Sequence, residues 1–235
     1  RSGEAFVNNL GTIIGTLYPP IVPGVQGESQ TTAATHVSIV AVTSTIARIL
    51  TGTLTDLLAP TTRPHENMAA SISSLRPPSL TPSRLTISRI VFLLFFSLLM
   101  TAGQVALASG FVQSHGERFW VVSSAIGAGY GAIFSITPII ISVIWGVENF
   151  GTNWGIVAVV PALGATLWGV VYSSVYQWAA SKGGLEDKDT DVLCYGRECY
   201  ETTFWAMAGS VWLACLLWAW AWKGPGGWVQ RGIAV

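Results

Sequence analysis

The sequence of 235 residues has little charge. Only 10% of its residues are Asp, Glu, Lys or Arg, whereas an average soluble domain has roughly 25%. Its 12 basic and 12 acidic residues cancel to a formal net charge of zero. The chain therefore lacks the basic excess that proteins use to bind nucleic acids or membrane surfaces. The composition predicts no nucleic-acid partner and predicts contact with the lipid bilayer.

The sequence also lacks the short motifs of several enzyme classes. It contains no Gly-x-Ser-x-Gly, no His-Glu-x-x-His and no Gly-x-x-x-x-Gly-Lys. These motifs mark nucleophilic, zinc and phosphate-loop chemistry, respectively. We therefore predict no catalytic residue, no cofactor and no metal site, and an intramembrane enzyme is the least favoured class of function.

The charges that are present lie in clusters, with long apolar intervals between them. Six intervals carry no Asp, Glu, Lys or Arg, at 5–27, 29–47, 91–116, 119–147, 149–181 and 202–222. A helix needs about 20 mostly apolar residues to cross the hydrocarbon core. Inside lipid, only a helix satisfies all its backbone polar groups within one segment. The pattern predicts an all-α membrane protein with six transmembrane helices.

The first of these helices is expected to be incomplete. The chain begins at Arg1, and its first apolar run ends near the turn signal Tyr18-Pro19-Pro20. Residues 1–17 are therefore predicted to be a partial first span that was truncated at its start. Five further transmembrane helices are predicted within residues 32–222.

Lys and Arg are unequally divided between the predicted loops, and the side that holds more of them is cytoplasmic by the positive-inside rule. The Pro/Ser-rich loop at 59–85 and the tail at 223–235 are predicted to be cytoplasmic. The acidic loop at 181–201 is predicted to lie on the opposite, non-cytoplasmic side.

The acidic loop contains two of the three cysteines, Cys194 and Cys199. In a non-cytoplasmic loop this pair can form a small disulfide-closed turn or remain reduced. A zinc site is disfavoured because no histidine or second cysteine pair lies nearby to complete four ligands. Cys215, in the last predicted helix, is expected to be a buried thiol.

Arg48, Gly52 and Asp56 follow one another at four-residue spacing near the end of the second predicted helix. This spacing places them on one side of the helix. In one interpretation, Arg48 extends to the membrane surface and Asp56 only ends the helix. In the other, Arg48 faces the pathway and binds an anion such as a carboxylate. Asp56 would then latch neighbouring helices, and Gly52 would admit a close neighbour.

Two polar residues of the first span, Glu4 and Asn8, share one helical face. They could line a polar pathway with Glu4 as a proton acceptor, or Glu4 could lie at the membrane edge of the intact protein. His36 is the one histidine within a predicted span. A lone histidine in that setting is more often a hydrogen-bonded interior residue than a proton relay.

The fourth predicted span contains the small-residue pattern Gly127-x-x-x-Gly131, followed by Pro138. We expect this pattern to support close helix packing. The alternative is a hinge or helix break near Pro138, of the kind that lines substrate sites in transporters. In that case Tyr130 could touch the substrate.

These motifs carry a family resemblance. The pattern Arg48-x-x-x-Gly52-x-x-x-Asp56, followed by a basic loop, resembles the cytoplasmic-loop signature of the major facilitator superfamily. The segment Asn9-Leu10-Gly11 resembles the seventh of the twelve spans in nodulin-like and fungal monocarboxylate-transporter homologues. The segments Val37-Ser38-Ile39 and Glu148-Asn149-Phe150-Gly151 agree with the same subgroup. The chain thus resembles the C-terminal half of such a fungal transporter, found on the vacuole membrane.

The resemblance implies a secondary active or facilitative transporter of small organic anions, monocarboxylates among them, that works by alternating access. Protons would be a candidate coupling ion, and the missing N-terminal six-helix half would complete the site. Animal monocarboxylate porters carry an aspartate four residues before the arginine, whereas this sequence has Ser44. The alternative function is a non-transporting sensor or scaffold on the same fold, and the alternative location is the plasma membrane.

Overall fold

The computed structural model of the chain describes residues 2–17, 32–58, 87–113, 115–182 and 194–233, and no strand occurs among them. This part of the chain forms the α-helices α1 (Ser2–Asn8), α2 (Leu10–Leu17), α3 (Ala33–Leu58), α4 (Arg89–Ala108), α5 (Phe119–Trp145), α6 (Phe150–Lys182) and α7 (Glu201–Lys223). Two 3₁₀ turns lie at Gly116–Arg118 and Arg197–Cys199. The all-α prediction is confirmed.

Five helices, α3 to α7, are long and apolar enough to cross a membrane. Each of them overlaps one of the charge-free intervals of the sequence. Where the sequence predicts the first span, the structure has the two short helices α1 and α2, which meet at Asn9. The total of six crossings therefore stays a prediction. The loop at 59–85 and residues 183–193 of the acidic loop lie outside the described residues.

The long helix α5 packs most extensively against α3 and α4. Gly127 and Gly131 lie against the backbone of α3, where an added Cβ would come within 3.0 Å of Val40 and within 2.7 Å of Ser44, respectively. Gly129 lies equally close to Met100 of α4, at 2.6 Å from an added Cβ. The predicted role of these glycines in close packing is confirmed. No side chain, not even a methyl group, fits between the helices at these positions.

At Gly52, no helix in the described part of the chain approaches as closely as at the glycines of α5. An added Cβ at this position would lie 3.8 Å from the Ser135 hydroxyl oxygen, which is an ordinary van der Waals contact. The helix α5 also continues through Pro138 without a break. The small residues of α5 thus set the spacing of the helices, whereas Gly52 leaves room beside α3.

The larger cluster of buried apolar side chains is built mainly from α1, α2, α4, α5 and α7. Phe6 stacks on Phe119 at a ring separation of 6.0 Å and meets Phe204 edge-on at 6.2 Å, and all three rings are buried. His36 is buried beside them, with its ring 4.7 Å from that of Phe119 and its Nδ1 3.1 Å from the Ser123 hydroxyl. The expectation of a hydrogen-bonded interior histidine is therefore confirmed.

By contrast, α3 and α6 leave large apolar side chains exposed along much of their length. Examples are Ile49 and Leu57 on α3, and Leu163 and Leu167 on α6, each 61–65% exposed. Apolar surface of this extent is stable against lipid or another protein rather than against water. The exposed faces therefore fit a multi-pass protein surrounded by a bilayer.

The glycine contact between α5 and α3 yields a stability prediction. We expect Gly131→Ala to destabilise the full-length protein by about 1–3 kcal/mol, because the new methyl group would overlap backbone atoms of Ser44 that cannot rotate away. Gly169→Ala on α6 is the matched control, since nothing lies within 4 Å of its added Cβ. Thermal unfolding in detergent measures both variants. Equal unfolding temperatures would show that the helices are not this close.

Candidate functional site

Arg48 lies within the body of α3. Among the described residues, every other Lys or Arg is at the end of a helix, in a 3₁₀ turn or in the tail. The Arg48 side chain is exposed, and its guanidinium carbon lies 5.6 Å from the ring centroid of Phe134 on α5. This is the distance of a cation–π contact. The helices thus present a single positive charge on an open face, beside an aromatic ring.

Tyr130 connects the Phe134 ring to Glu4. The Tyr130 hydroxyl donates a hydrogen bond of 2.9 Å to Oε1 of Glu4 on α1. The Tyr130 ring meets the Phe134 ring edge-on, with centroids 4.9 Å apart. We call Arg48, Phe134, Tyr130 and Glu4 the Arg48–Glu4 cluster, because contacts connect them in that order from α3 through α5 to α1.

Gly3 positions the tyrosine of this cluster. An added Cβ at Gly3 would lie 2.8 Å from Cδ2 of Tyr130, so the ring rests directly on the backbone of α1. The same contact brings the hydroxyl within reach of Glu4, the next residue along α1. The segment Gly3-Glu4 therefore acts as one unit that receives the Tyr130 side chain.

Asn8 does not join the cluster. It is exposed, and within the described residues its side chain makes no hydrogen bond with Arg48, Tyr130 or Glu4. The neighbouring Asn9 instead donates from its side-chain amide to the Ala5 carbonyl oxygen, at 2.8 Å. Asn9 thus bonds its own helix at the point where α1 gives way to α2.

Ser44 occupies the position at which the resemblance places the aspartate of the animal monocarboxylate porters. It is buried, and both its Cα and its Oγ would lie 2.7 Å from a Cβ added to Gly131. A larger, charged side chain here would have to push α5 away from α3 and leave water. Position 44 therefore serves helix packing, and Glu4 is the carboxylate that the structure places in the cluster.

Asp56 lies two turns beyond Arg48 on α3 and is exposed. The guanidinium of Arg89, the first residue of α4, lies within electrostatic range of this carboxylate. Two of the Arg89 side-chain nitrogens, Nε and Nη1, are buried and have no hydrogen-bond partner in the described part of the chain. Nothing in the sequence singles out Arg89, because an arginine at the start of a helix is common.

A cavity of about 210 Å³ lies behind Tyr130, between α1, α4, α5, α6 and α7. Tyr130 forms part of its wall, so this one side chain borders both the cavity and the Arg48–Glu4 cluster. Most of the wall is apolar, and its lining residues include Leu93, Met100, Ile133, Val211 and Trp218. No pattern in the sequence indicates this cavity, because its walls come from helices that are distant in sequence.

In the segment that precedes α7, a disulfide bond between Cys194 and Cys199 closes a small loop, and both cysteines are buried. Beside it, the Tyr200 hydroxyl donates to Oε1 of Gln113 at 2.9 Å. Burial raises the pKa of Tyr200 to about 12, so the hydroxyl keeps its proton at neutral pH. Among the described residues, no group of His, Cys, Asp and Glu side chains is arranged to hold a metal ion.

The chain is similar to curated fungal proteins named probable transporter MCH1. It is 59% identical to the Neurospora crassa protein and 54% identical to the Gibberella zeae protein, over 99% of this chain in both cases. The Yarrowia lipolytica protein is 27% identical over 95% of the chain. The chain spans only 38–40% of the length of these three relatives. No family model and no solved structure matches the chain.

Proposed function

The chain is homologous to a segment of the fungal MCH1 proteins, the monocarboxylate transporter homologues named probable transporters, and on this premise we propose that it forms one half of a carrier for small organic anions. The carrier would be secondary active or facilitative and would work by alternating access. The transporter names of the relatives favour this role over catalysis.

The observation that carries the proposal is the position of Arg48. A guanidinium in the body of a membrane span is energetically costly, so its presence there points to a function. The Arg48 guanidinium is exposed on the face of α3 beside α5. Guanidinium matches a carboxylate with two parallel hydrogen bonds. We propose that the Arg48 guanidinium binds the substrate carboxylate, and that it either moves off the Phe134 ring or keeps that contact as it does so.

The site needs a second wall. Facilitator-type transporters bind substrate between two six-helix halves, and α3 and α6 expose the apolar side chains that such an interface, or lipid, would cover. We propose that the missing N-terminal half completes the site opposite Arg48. The chain alone would then bind substrate weakly and would not transport it.

We expect Arg48→Ala to lower uptake of organic anions by at least an order of magnitude, because the substrate carboxylate loses its ionic partner. The measurement is uptake of radiolabelled benzoate, lactate and acetate into vesicles that contain the full-length protein. Arg118→Ala is the matched control, since Arg118 also stacks on a phenylalanine, Phe111, at 5.5 Å, but lies in a 3₁₀ turn. Normal uptake by folded Arg48→Ala would remove Arg48 from the site. No uptake by the unaltered protein would favour the sensor or scaffold.

For proton coupling, we propose Glu4. Its carboxylate accepts the hydrogen bond of Tyr130 in the same cluster as Arg48, so its charge and that of a bound anion would repel each other. The proton would bind Glu4 when substrate binds and leave it on the other side of the membrane.

Glu4→Gln should abolish the response of uptake to a proton gradient, because the amide keeps the shape of the carboxyl group but cannot exchange a proton. Exchange of one anion for another should continue. The measurement compares uptake with and without an inward proton gradient in vesicles. A variant that still accelerates several-fold under the gradient would exclude Glu4 as the coupling residue.

For the conformational switch, we propose that Asp56 holds α3 and α4 together through its attraction to Arg89 in one of the two access states. Breaking the latch would then shift the balance between those states. Gly52, which leaves room beside α3, and Pro138, which removes one backbone hydrogen bond from α5, would permit the movement.

We expect Asp56→Asn to change the labelling of cysteines introduced singly at Ser38 and Thr53, near the two ends of α3, by roughly 2- to 5-fold, the range of a partly exposed ion pair. Arg89→Gln should change the labelling by the same factor. The double variant Asp56→Asn/Arg89→Gln should change it no further than either single variant. Glu148→Gln, in the exposed connection between α5 and α6, serves as the control. An unchanged labelling ratio in Asp56→Asn would reject the latch.

We propose the vacuole membrane as the location, on the resemblance to vacuolar transporters, with the plasma membrane as the alternative. Imaging of a fluorescent fusion of the full-length protein against markers of both membranes decides between them.

A further inference from the structure

The end of α2 is capped by two distant parts of the chain. The helix ends at Leu17, and the last carbonyl groups of a helix have no partner within it. The Thr16 carbonyl oxygen instead accepts two hydrogen bonds from elsewhere. One comes from the backbone N–H of Gly196, at 3.1 Å, and the other from the side-chain amide of Gln113, at 3.3 Å. The position of α2 therefore depends on both of these donors.

Gly196 belongs to the loop that the disulfide closes. We call residues 194–199 the disulfide loop. Its backbone has a φ of 97° at Gly196, a left-handed conformation that favours glycine, and the N–H of this residue binds Thr16. Because the bond between Cys194 and Cys199 joins the two ends of the loop, it limits how far Gly196 can move. The disulfide thus keeps one of the two donors at the end of α2.

Two tyrosine hydroxyls bind the ends of the disulfide loop. Tyr176 on α6 accepts a hydrogen bond of 3.0 Å from the Cys194 N–H. Tyr200, directly after the loop, donates one of 2.9 Å to the side chain of Gln113. The amide of this same glutamine also binds Thr16. The loop therefore links α2 to α6 and to the connection between α4 and α5.

Both cysteines of the disulfide loop are buried, although part of the loop lies at the surface. Cys194 is 5% exposed and Cys199 is 0% exposed, whereas Arg197 and Glu198 between them are exposed. A reductant in solution therefore reaches the disulfide only after the loop opens. Opening breaks the hydrogen bonds that hold the loop, and these include the one that caps α2. Reduction of the disulfide and release of α2 thus follow from the same movement.

We propose that the disulfide loop is a redox-sensitive clamp on α2. A dithiol reductant attacks one sulfur of the opened loop as a thiolate and forms a mixed disulfide with it. Its second thiolate then attacks the mixed disulfide and displaces the cysteine, so the reductant leaves as a cyclic disulfide. Cys194 and Cys199 gain the two electrons and two protons that the dithiol loses. The reduced loop no longer holds Gly196 in place, and α2 loses part of its cap.

The clamp goes beyond the proposed function, because none of the contacts that carry it involves the Arg48–Glu4 cluster. It gives the protein two states, which differ in how firmly α2 is held. The balance between them follows the thiol–disulfide balance of the compartment that the loop faces.

The first test measures how fast dithiothreitol reduces the disulfide in the purified full-length protein. Free thiols are alkylated and counted by mass spectrometry of the peptide that contains both cysteines. We expect Tyr176→Phe and Tyr200→Phe each to speed reduction roughly 3- to 10-fold, because each removes one hydrogen bond that keeps the loop closed. Tyr195→Phe is the matched control, since Tyr195 lies in the same loop and its hydroxyl makes no hydrogen bond within the described part of the chain.

The second test asks whether reduction releases α2 in particular. After reduction, hydrogen exchange in residues 10–17 should be at least about tenfold faster, whereas residues 119–131 of α5 should keep their exchange rates. The variant Cys194→Ser/Cys199→Ser should exchange like the reduced protein, and dithiothreitol should change it no further. If this variant does not fold, the reduced unaltered protein supplies the comparison.

Several results would overturn the clamp. One is a disulfide that stays intact in excess dithiothreitol, and another is an equal rate of reduction in the unaltered protein and all three tyrosine variants. Equal exchange of residues 10–17 before and after reduction would show that the disulfide does not hold α2. Faster exchange in every helix would show a general loss of stability instead. None of these results depends on anion uptake, so the clamp and the proposed function fail separately.

Discussion

The close contact between α3 and α5 is the constraint on which the rest of the structure depends. In lipid, apolar surface gains little by leaving its surroundings, so helices associate where small residues let their backbones approach and van der Waals contacts accumulate. Gly127 and Gly131 provide that approach along α3, and Gly129 provides it along α4. Because these three glycines contact two different helices, they fix the rotation of α5 about its own axis and its position along that axis.

This rotation decides what the polar residues can do. With Gly131 against Ser44, the adjoining face of α5 carries Tyr130 towards α1 and Phe134 towards Arg48. Position 44 is then unavailable to a carboxylate, and the acidic group of the cluster comes from α1 instead. The cluster thus takes its carboxylate from α1 and its guanidinium from α3.

Much of the fold could be predicted, because each of the helices α3 to α7 overlaps one of the intervals without charge. The site could be predicted only in part. Arg48, Tyr130 and Glu4 were each identifiable as polar groups within apolar runs, yet nothing along the chain indicated that Tyr130 would bond Glu4. Phe134, Arg89 and the cavity were missed, since an ordinary phenylalanine, a helix-end arginine and apolar walls carry no local signal. Asn8 was selected because it shares a helical face with Glu4, but its side chain is exposed and lies outside the cluster.

The sequence by itself determined that this chain is helical, that it suits a membrane and where its helices run. The reason is that each segment in lipid must satisfy its own backbone hydrogen bonds, which makes helix formation a local property. Only the tertiary structure decided which side chains meet. Glu4 and Tyr130 are 126 residues apart in the chain, and their contact follows from the rotation that the glycines of α5 impose, which no local pattern encodes.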